Sequence, residues 1–190
     1  MCNLCILMRH GESLANKNKI VWSLKHGFPL TDLGREMVLK RIHELKKLKI
    51  DLIVTSEIER AVETAKIISS KINVPYKIDS RINEINFTIF SGNSEDIVPR
   101  YTYESVYIEN WDEIMKRSLD AINSYDGSIL YITHAFIIRV ILSYFLDLTE
   151  NNSFGINVGY ATLSIINNNR IISIGAENID LKKIQYHTMV

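Results

Sequence analysis

The feature that most constrains this chain is a set of short apolar runs, each leading into a stretch of helical spacing. Residues 3–8, 51–55 and 128–133 are too short for helices and show no polar alternation, which fits strands buried on both faces. Leu33, Met37, Ile42, Leu45 and Leu48 give approximate helical spacing over 33–49, behind the punctuation of Pro29 and Gly34. Ser56 and Glu59 have the spacing of a capping box, and Ile58, Ala61, Val62, Ala65 and Ile68 form one face of the helix it would open. The pattern further predicts helices over 112–124 and 135–146, a short strand over 76–78, and a hairpin of 160–166 and 170–174 across the Asn-rich turn at 167–169. Strands that alternate with helices build a mostly parallel sheet. The expected fold is therefore α/β, a three-layer α/β/α sandwich whose last hairpin adds an antiparallel edge. Residues 1–190 read as a single domain, with 81–100 as loop and a small, aromatic-rich cap insertion at about 93–110.

Hydrophobic residues make up 46% of the chain and charged residues 23%, so a full core is within reach and disorder is not the default. Lys+Arg and Asp+Glu both number 22, which leaves no basic excess to release counterions from a polyanion and argues against nucleic acid as a partner. Cys2 and Cys5 are three residues apart. In an extended strand such thiols diverge, so they read as incidental rather than as a redox or zinc pair. The start of the chain lacks a basic segment ahead of its apolar run, so no signal peptide is expected. Residues 129–146 are apolar enough to suggest a membrane span, but Arg139 at its middle would cost roughly 2.5–3.5 kcal/mol on insertion. A buried strand running into a buried helix explains the same hydropathy, and a cytoplasmic protein with no membrane partner is expected.

In an open parallel sheet, ligands bind outside the carboxyl ends of the strands. Three of the predicted strands end in polar, chemically useful residues: Arg9-His10-Gly11, Thr55-Ser56 with Arg60 just beyond, and Thr133-His134. If the strands are parallel, two histidines and two arginines converge on one crevice. Arginine forks match phosphate oxygens and stay charged at any working pH. A neutral imidazole among such cations is a competent nucleophile, because nearby positive charge disfavours its protonation. Gly11 would let the backbone approach a bound phosphate.

At this point the sequence resembles a known family. Leu7-Met8-Arg9-His10-Gly11-Glu12-Ser13, followed by Asn16, is similar to the R-H-G-E-S-x-x-N signature of the histidine phosphatase (phosphoglycerate-mutase-like) superfamily. Pro29-Leu30-Thr31 with Gly34 resembles its P-L-T-x-x-G segment. Ser56 through Arg60-Ala61 and Thr64-Ala65 resembles S-x-x-x-R-A-x-x-T-A. Arg81-Ile82-Asn83-Glu84 resembles the stretch that carries an acidic residue, and Thr133-His134 with Arg139 resembles S-H-G-x-x-I-R. The likeness runs over about residues 4–166. It implies that His10 attacks phosphorus and becomes phosphohistidine, and that Arg9, Arg60 and His134 hold the phosphoryl oxygens with Asn16 assisting. It also implies that Glu84 protonates the leaving oxygen and then activates water. No metal and no cofactor are implied. The chain departs from the family pattern at Ala135, where Gly is usual, and at Phe90-Ser91-Gly92, where an acid is usual before the Gly.

Metal-independent phosphomonoester hydrolysis is the leading expectation, with a small phosphorylated metabolite or a phosphoprotein as the partner. The first rival is a phosphoglycerate mutase, which shares the phosphohistidine but returns the phosphoryl group to a bound intermediate. Such mutases usually carry a longer insertion than the short cap here. Further rivals are an inactive phosphate-binding regulatory module and a metal hydrolase that uses His10 and His134 with an acid. Tyr101, Tyr103, Tyr107 and Trp111 either line the cap or simply pack. The sequence leaves a homodimer open.

Overall fold

The computed structural model of the protein describes residues 3–86, 92–94 and 109–179. Six strands form one sheet: β1 (Leu4–Arg9), β2 (Leu52–Thr55), β3 (Tyr76–Ile78), β4 (Ser128–Thr133), β5 (Leu163–Asn167) and β6 (Arg170–Ala176). Their order is β3-β2-β4-β1-β5-β6. The strands from β3 to β1 run parallel, while β5 lies antiparallel to β1 and β6 antiparallel to β5. This is the expected α/β sheet with its antiparallel edge.

The lack of polar alternation in the strands has a direct cause. Cys5, Leu7, Val54, Ile129 and Tyr131 face one layer, formed by α5 (Trp111–Asn123) and α6 (Ala135–Leu146). Ile6, Met8, Ile53, Leu130 and Ile132 face the other, formed by α2 (Asp32–Lys40), α3 (Ile42–Lys47) and α4 (Glu59–Ile72). Both faces are dry, so neither set of alternating positions can be polar. Two four-residue helices, α1 (Leu14–Lys17) and α7 (Glu150–Ser153), and a 3-10 turn at Ser80–Ile82 complete the described elements. No described helix is long and apolar enough to cross a membrane, and residues 128–146 are the strand β4 followed by α6.

Several expectations need correction. The helix expected over 33–49 breaks at Arg41, whose N–H donates to the Val38 carbonyl at 3.0 Å and tightens the turn. The apolar spacing shows the break, because Ile42 lies five positions after Met37. The capping box at Ser56 does not form. Helix α4 starts at Glu59 behind Ile58, which makes no side-chain cap. Glu59 instead accepts from the Gly27 N–H at 2.7 Å, and Ser56 is used elsewhere. The second strand of the hairpin runs on to Ala176, and its first begins only at Leu163. Cys5 is disulfide-bonded rather than a free strand thiol. Alternation separates thiols only inside a strand, and β1 begins at Leu4; Cys2 lies outside the described residues. Of the expected cap at 93–110, residues 95–108 lie outside the described residues, Tyr101, Tyr103 and Tyr107 among them, as does Ser91. Trp111 packs edge-on to Phe136, at 6.0 Å between centroids, and belongs to the α5/α6 side of the core.

Gly11 has a packing reason to lack a side chain, besides the approach to a phosphate expected of it. A Cβ there would stand 2.5 Å from the Gly34 carbonyl oxygen, and one on Gly34 would fall on the Glu12 backbone. Thr31 fastens the same contact. Its N–H donates to the Glu12 carbonyl at 2.9 Å, its hydroxyl donates to the Glu12 carboxylate at 2.7 Å, and the same hydroxyl caps α2 through Gly34 N–H. Backbone-to-backbone contact of this kind has no side chain that could yield. Gly34→Ala is expected to cost on the order of 1–3 kcal/mol, or roughly 2–4 °C of Tm per kcal/mol in a chain of this size. Thermal unfolding checks this, and an unchanged Tm would show that the two backbones part freely.

Candidate active site

Parallel registry brings the strand ends together. Arg9 stands opposite Thr133, and Thr55 opposite Ile132. The ladder runs one step further, with His10 N–H donating to the Thr133 carbonyl and Ser56 N–H to the Ile132 carbonyl, each at 3.0 Å. His10, Ser56 and His134 therefore leave the sheet side by side, and the His10 and His134 ring centroids are 5.0 Å apart.

His10 is buried and its Nδ1 lies 2.6 Å from the Gly11 carbonyl. A carbonyl only accepts, so Nδ1 carries the proton and Nε2 keeps a lone pair. That lone pair accepts from Arg60 Nε at 3.0 Å. Arg60 Nη2 also reaches His134 Nδ1, at 3.3 Å. Burial first, then Arg60 and Arg9, hold the His10 imidazole well below its ordinary pKa. Burial likewise lowers His134, helped by Arg60, His10, Arg9 and Arg117. Both rings are neutral at neutral pH. Burial also pulls Arg60 down, to about 10, so it remains a cation. Its buried Nη1 has no hydrogen-bond partner among the described residues. An unsatisfied buried donor costs roughly 1–3 kcal/mol, a penalty that an anion in the crevice would relieve.

Arg9 is held from the loop before β5. Its Nη1 donates to the Val158 carbonyl at 2.7 Å, and its Cζ lies 3.9 Å from the centre of the Tyr160 ring. Asn16 does two jobs, since it closes the capping box of α1 and lines the pocket. Its Oδ1 accepts from the N–H and the hydroxyl of Ser13, at 3.2 and 2.8 Å, which turns the Nδ2 donor the other way.

Glu84 lines the same pocket of about 130 Å³, with Arg9, Asn16, Trp22 and Arg60. It also lines an adjoining pocket of about 370 Å³, with Ser23, Asn83, Asn86 and Arg117. Burial pushes its carboxyl above the ordinary range and outweighs the opposing pull of Arg60, Arg9 and Arg139. The backbone that carries it is clipped in place. Arg117 Nη1 donates to the Arg81 and Asn83 carbonyls at 2.7 and 2.9 Å, while its Nε and Nη2 grip both oxygens of Glu109 at 2.8 Å. The Thr133 hydroxyl donates to the Ile82 carbonyl at 2.6 Å. The structure thus brings together every site residue predicted from sequence: Arg9, His10, Asn16, Arg60, Glu84 and His134. Tyr160 and Arg117 were missed, because neither a cation–π contact nor an arginine-to-carbonyl clamp leaves a periodic trace in sequence. Arg139 donates to the Ile156 carbonyl at 3.0 Å and ties α6 to the following loop, and Ala135 packs on the α5/α6 side of the core.

Chemically, the crevice offers a bare imidazole nitrogen, guanidinium donors for an anion, and a carboxyl inclined to keep its proton. Among the described residues, no group of three or more His, Cys, Asp or Glu could hold a metal ion.

Residues 5–170 match the histidine phosphatase superfamily (branch 1). The chain belongs to this superfamily. One relative, a 2,3-bisphosphoglycerate-dependent phosphoglycerate mutase of Thermoplasma acidophilum, is 32% identical over 91% of this chain and 92% of its own length. An adenosylcobalamin/alpha-ribazole phosphatase of Escherichia coli is 36% identical over 43% of this chain and 39% of its own. Among solved structures, Bacillus stearothermophilus YhfR superposes with a TM-score of 0.79 at 20% identity, covering 93% of this chain and 98% of that one. A mycobacterial glucosyl-3-phosphoglycerate phosphatase, solved with VO3, gives 0.73 at 18% identity over 86% and 90%. These structural likenesses speak to the fold, a histidine phosphatase sheet with helices on both faces.

The ring beneath Arg9 offers a test of how this superfamily member holds that arginine. Tyr160→Phe keeps the ring and should leave phosphate affinity unchanged. Tyr160→Ala removes a contact worth roughly 0.5–2 kcal/mol and should weaken phosphate binding about 2- to 30-fold. Isothermal titration with inorganic phosphate separates the two. An equal loss in both variants would assign the effect to the hydroxyl instead of the ring.

Proposed function

We propose that the protein hydrolyses phosphomonoesters of small metabolites through a phosphohistidine formed at His10. The observation that carries this reading is the His10 tautomer. Gly11 fixes the proton on Nδ1, which leaves the Nε2 lone pair facing Arg60, whose guanidinium lines a pocket together with that of Arg9. In the first half-reaction Nε2 attacks phosphorus, the bond to the ester oxygen breaks, and that oxygen takes the proton of the Glu84 carboxyl. In the second, the Glu84 carboxylate takes a proton from water, the water oxygen attacks phosphorus, and the bond to Nε2 breaks. Arg9, Arg60 and His134, with Asn16, hold the phosphoryl oxygens, and the guanidinium charges stabilise the transition state in the place of a metal cation. Glu84 lines both pockets, so a leaving group in the larger one lies within reach of its proton.

A second reading, phosphoglycerate mutase, draws support from the Thermoplasma relative. This chain covers 92% of that relative's length, so a short cap does not by itself separate mutases from phosphatases. The two differ in whether the phosphohistidine is kept from water.

Hydrolysis of p-nitrophenyl phosphate in excess chelator, wild type beside His10→Ala, tests the proposal. Turnover in the wild type and none in the variant is expected. Activity retained in His10→Ala would sink the mechanism. Conversion of 3-phosphoglycerate to 2-phosphoglycerate that depends on priming with a bisphosphoglycerate, with no net hydrolysis, would favour the mutase.

The pH profile carries its own signature. The nucleophile must be neutral, so kcat falls as pH drops through the lowered pKa of His10. The acid must be protonated, so kcat falls as pH rises through the raised pKa of Glu84. Glu84→Gln should remove the upper limb and slow alkyl phosphates far more than nitrophenyl phosphate. Equal slowing of both would count against Glu84 as the proton donor.

A further inference from the structure

We infer that Asn83 is a positioning residue that locks the tautomer of His134 through Ser56, so that His134 can donate to an anion only as an imidazolium. The argument is a hydrogen-bond count. Asn83 Oδ1 accepts from the Glu57 N–H at 3.0 Å, and Asn83 Nδ2 donates to the Glu57 carboxylate at 2.8 Å. An N–H cannot accept and a carboxylate cannot donate, so the amide has one possible orientation. Lys25 meets the other oxygen of Glu57 at 3.1 Å and helps keep that carboxylate charged. The Ser56 hydroxyl lies 2.9 Å from Asn83 Oδ1 and must donate its hydrogen there. Ser56 Oγ also accepts from the Ile58 N–H at 3.2 Å. It can therefore meet His134 Nε2, at 2.9 Å, only as an acceptor. Nε2 carries the proton, and Nδ1 is bare toward Arg60.

The two histidines of the crevice thus hold opposite tautomers, His10 with its proton on Nδ1 and His134 with its proton on Nε2. Arg60 needs both, since it donates to the bare nitrogen of each. The groups facing His134 are Arg60 from α4, Arg9 and His10 from the end of β1, Arg117 from α5 and the neutral Ser56. Burial first, and then these cations, hold the ring neutral, a balance that a bound anion would shift. A phosphate monoanion can then give its proton to Nδ1. One O–H bond breaks, one N–H bond forms, and the dianion is left against an imidazolium. The lock makes this route the only one by which His134 donates on the crevice side.

The lock stands on geometry, while its kinetic consequence rests on the phosphohistidine reading. The test reads the two apart. Ring-nitrogen NMR on protein carrying 15N-histidine should show His134 protonated at Nε2 and bare at Nδ1, and inorganic phosphate should abolish the bare-nitrogen signal. Asn83→Ala frees the Ser56 hydroxyl to donate to Nε2, and the spectrum should become a mixture of tautomers. Ser56→Thr should keep the wild-type pattern and Ser56→Ala should lose it, which covers the case in which Asn83→Ala does not fold. A wild-type ring protonated at Nδ1, or an Nε2–H pattern that survives both Asn83→Ala and Ser56→Ala, would overturn the lock. A protein with the expected spectrum and no phosphatase turnover would overturn the reaction reading and leave the lock standing.

Discussion

A guanidinium buried between two uncharged imidazoles governs the rest of this site. Among the described residues Arg60 makes no ion pair within 4 Å, although the Glu84 carboxyl lines the same pocket. Arg60 donates to His10 through Nε and to His134 through Nη2, and burial still leaves it charged. Such an arrangement holds only while both rings present a lone pair. One ring is set by a backbone carbonyl next to it in sequence, the other by a serine whose own hydrogen is committed to an amide. Removing a cation from water is expensive, and an anion against the buried Arg60 Nη1 would offset that cost. The crevice presents donors whose directions are fixed by the hydrogen bonds around them.

The sheet supplies the alignment that makes this possible. Registry between β1, β4 and β2 places three strand ends level, and the ladder bonds of His10 and Ser56 extend that level one residue past the strands. The close approach of Gly11 and Gly34 then fixes where the chain goes after the nucleophile. Chemistry is thus mounted on backbone geometry first and on side chains second.

Much of this was legible in the sequence, for identifiable reasons. The strand Ser128–Thr133 and the helix Ala135–Leu146 have the predicted bounds, because a strand buried on both faces and a helix buried nearly all round leave unmistakable apolar runs. The candidate site residues could be singled out because each sits in a matching motif, all but Glu84 at a strand end or in a helix-opening turn. What stayed hidden depends on contacts between distant segments. Ser56 looked like a helix cap because its spacing to Glu59 is right; only the fold reveals that Asn83, His134 and Ile58 already saturate its oxygen. Glycine spacing likewise cannot show that Gly11 lies against a second backbone, that of Gly34. Four-residue helices such as Leu14–Lys17 are shorter than any period that could announce them.

The two halves of the proposed chemistry are mounted on opposite sides of the sheet. Arg60 sits on α4, in one helical layer, whereas the segment bearing Glu84 is stapled by Arg117 to α5, in the other. A ligand that touches both becomes a tie-beam across the sandwich, added to the contacts that Arg60 makes with His134 and Asn83 with Glu57. Its occupancy should therefore be felt as shear stiffness between the layers, and the stability gained on binding follows its concentration by mass action. The crevice acts as a gauge as well as a reaction vessel: a slip of either layer over the sheet alters the gap between anion clamp and acid before it disturbs the core.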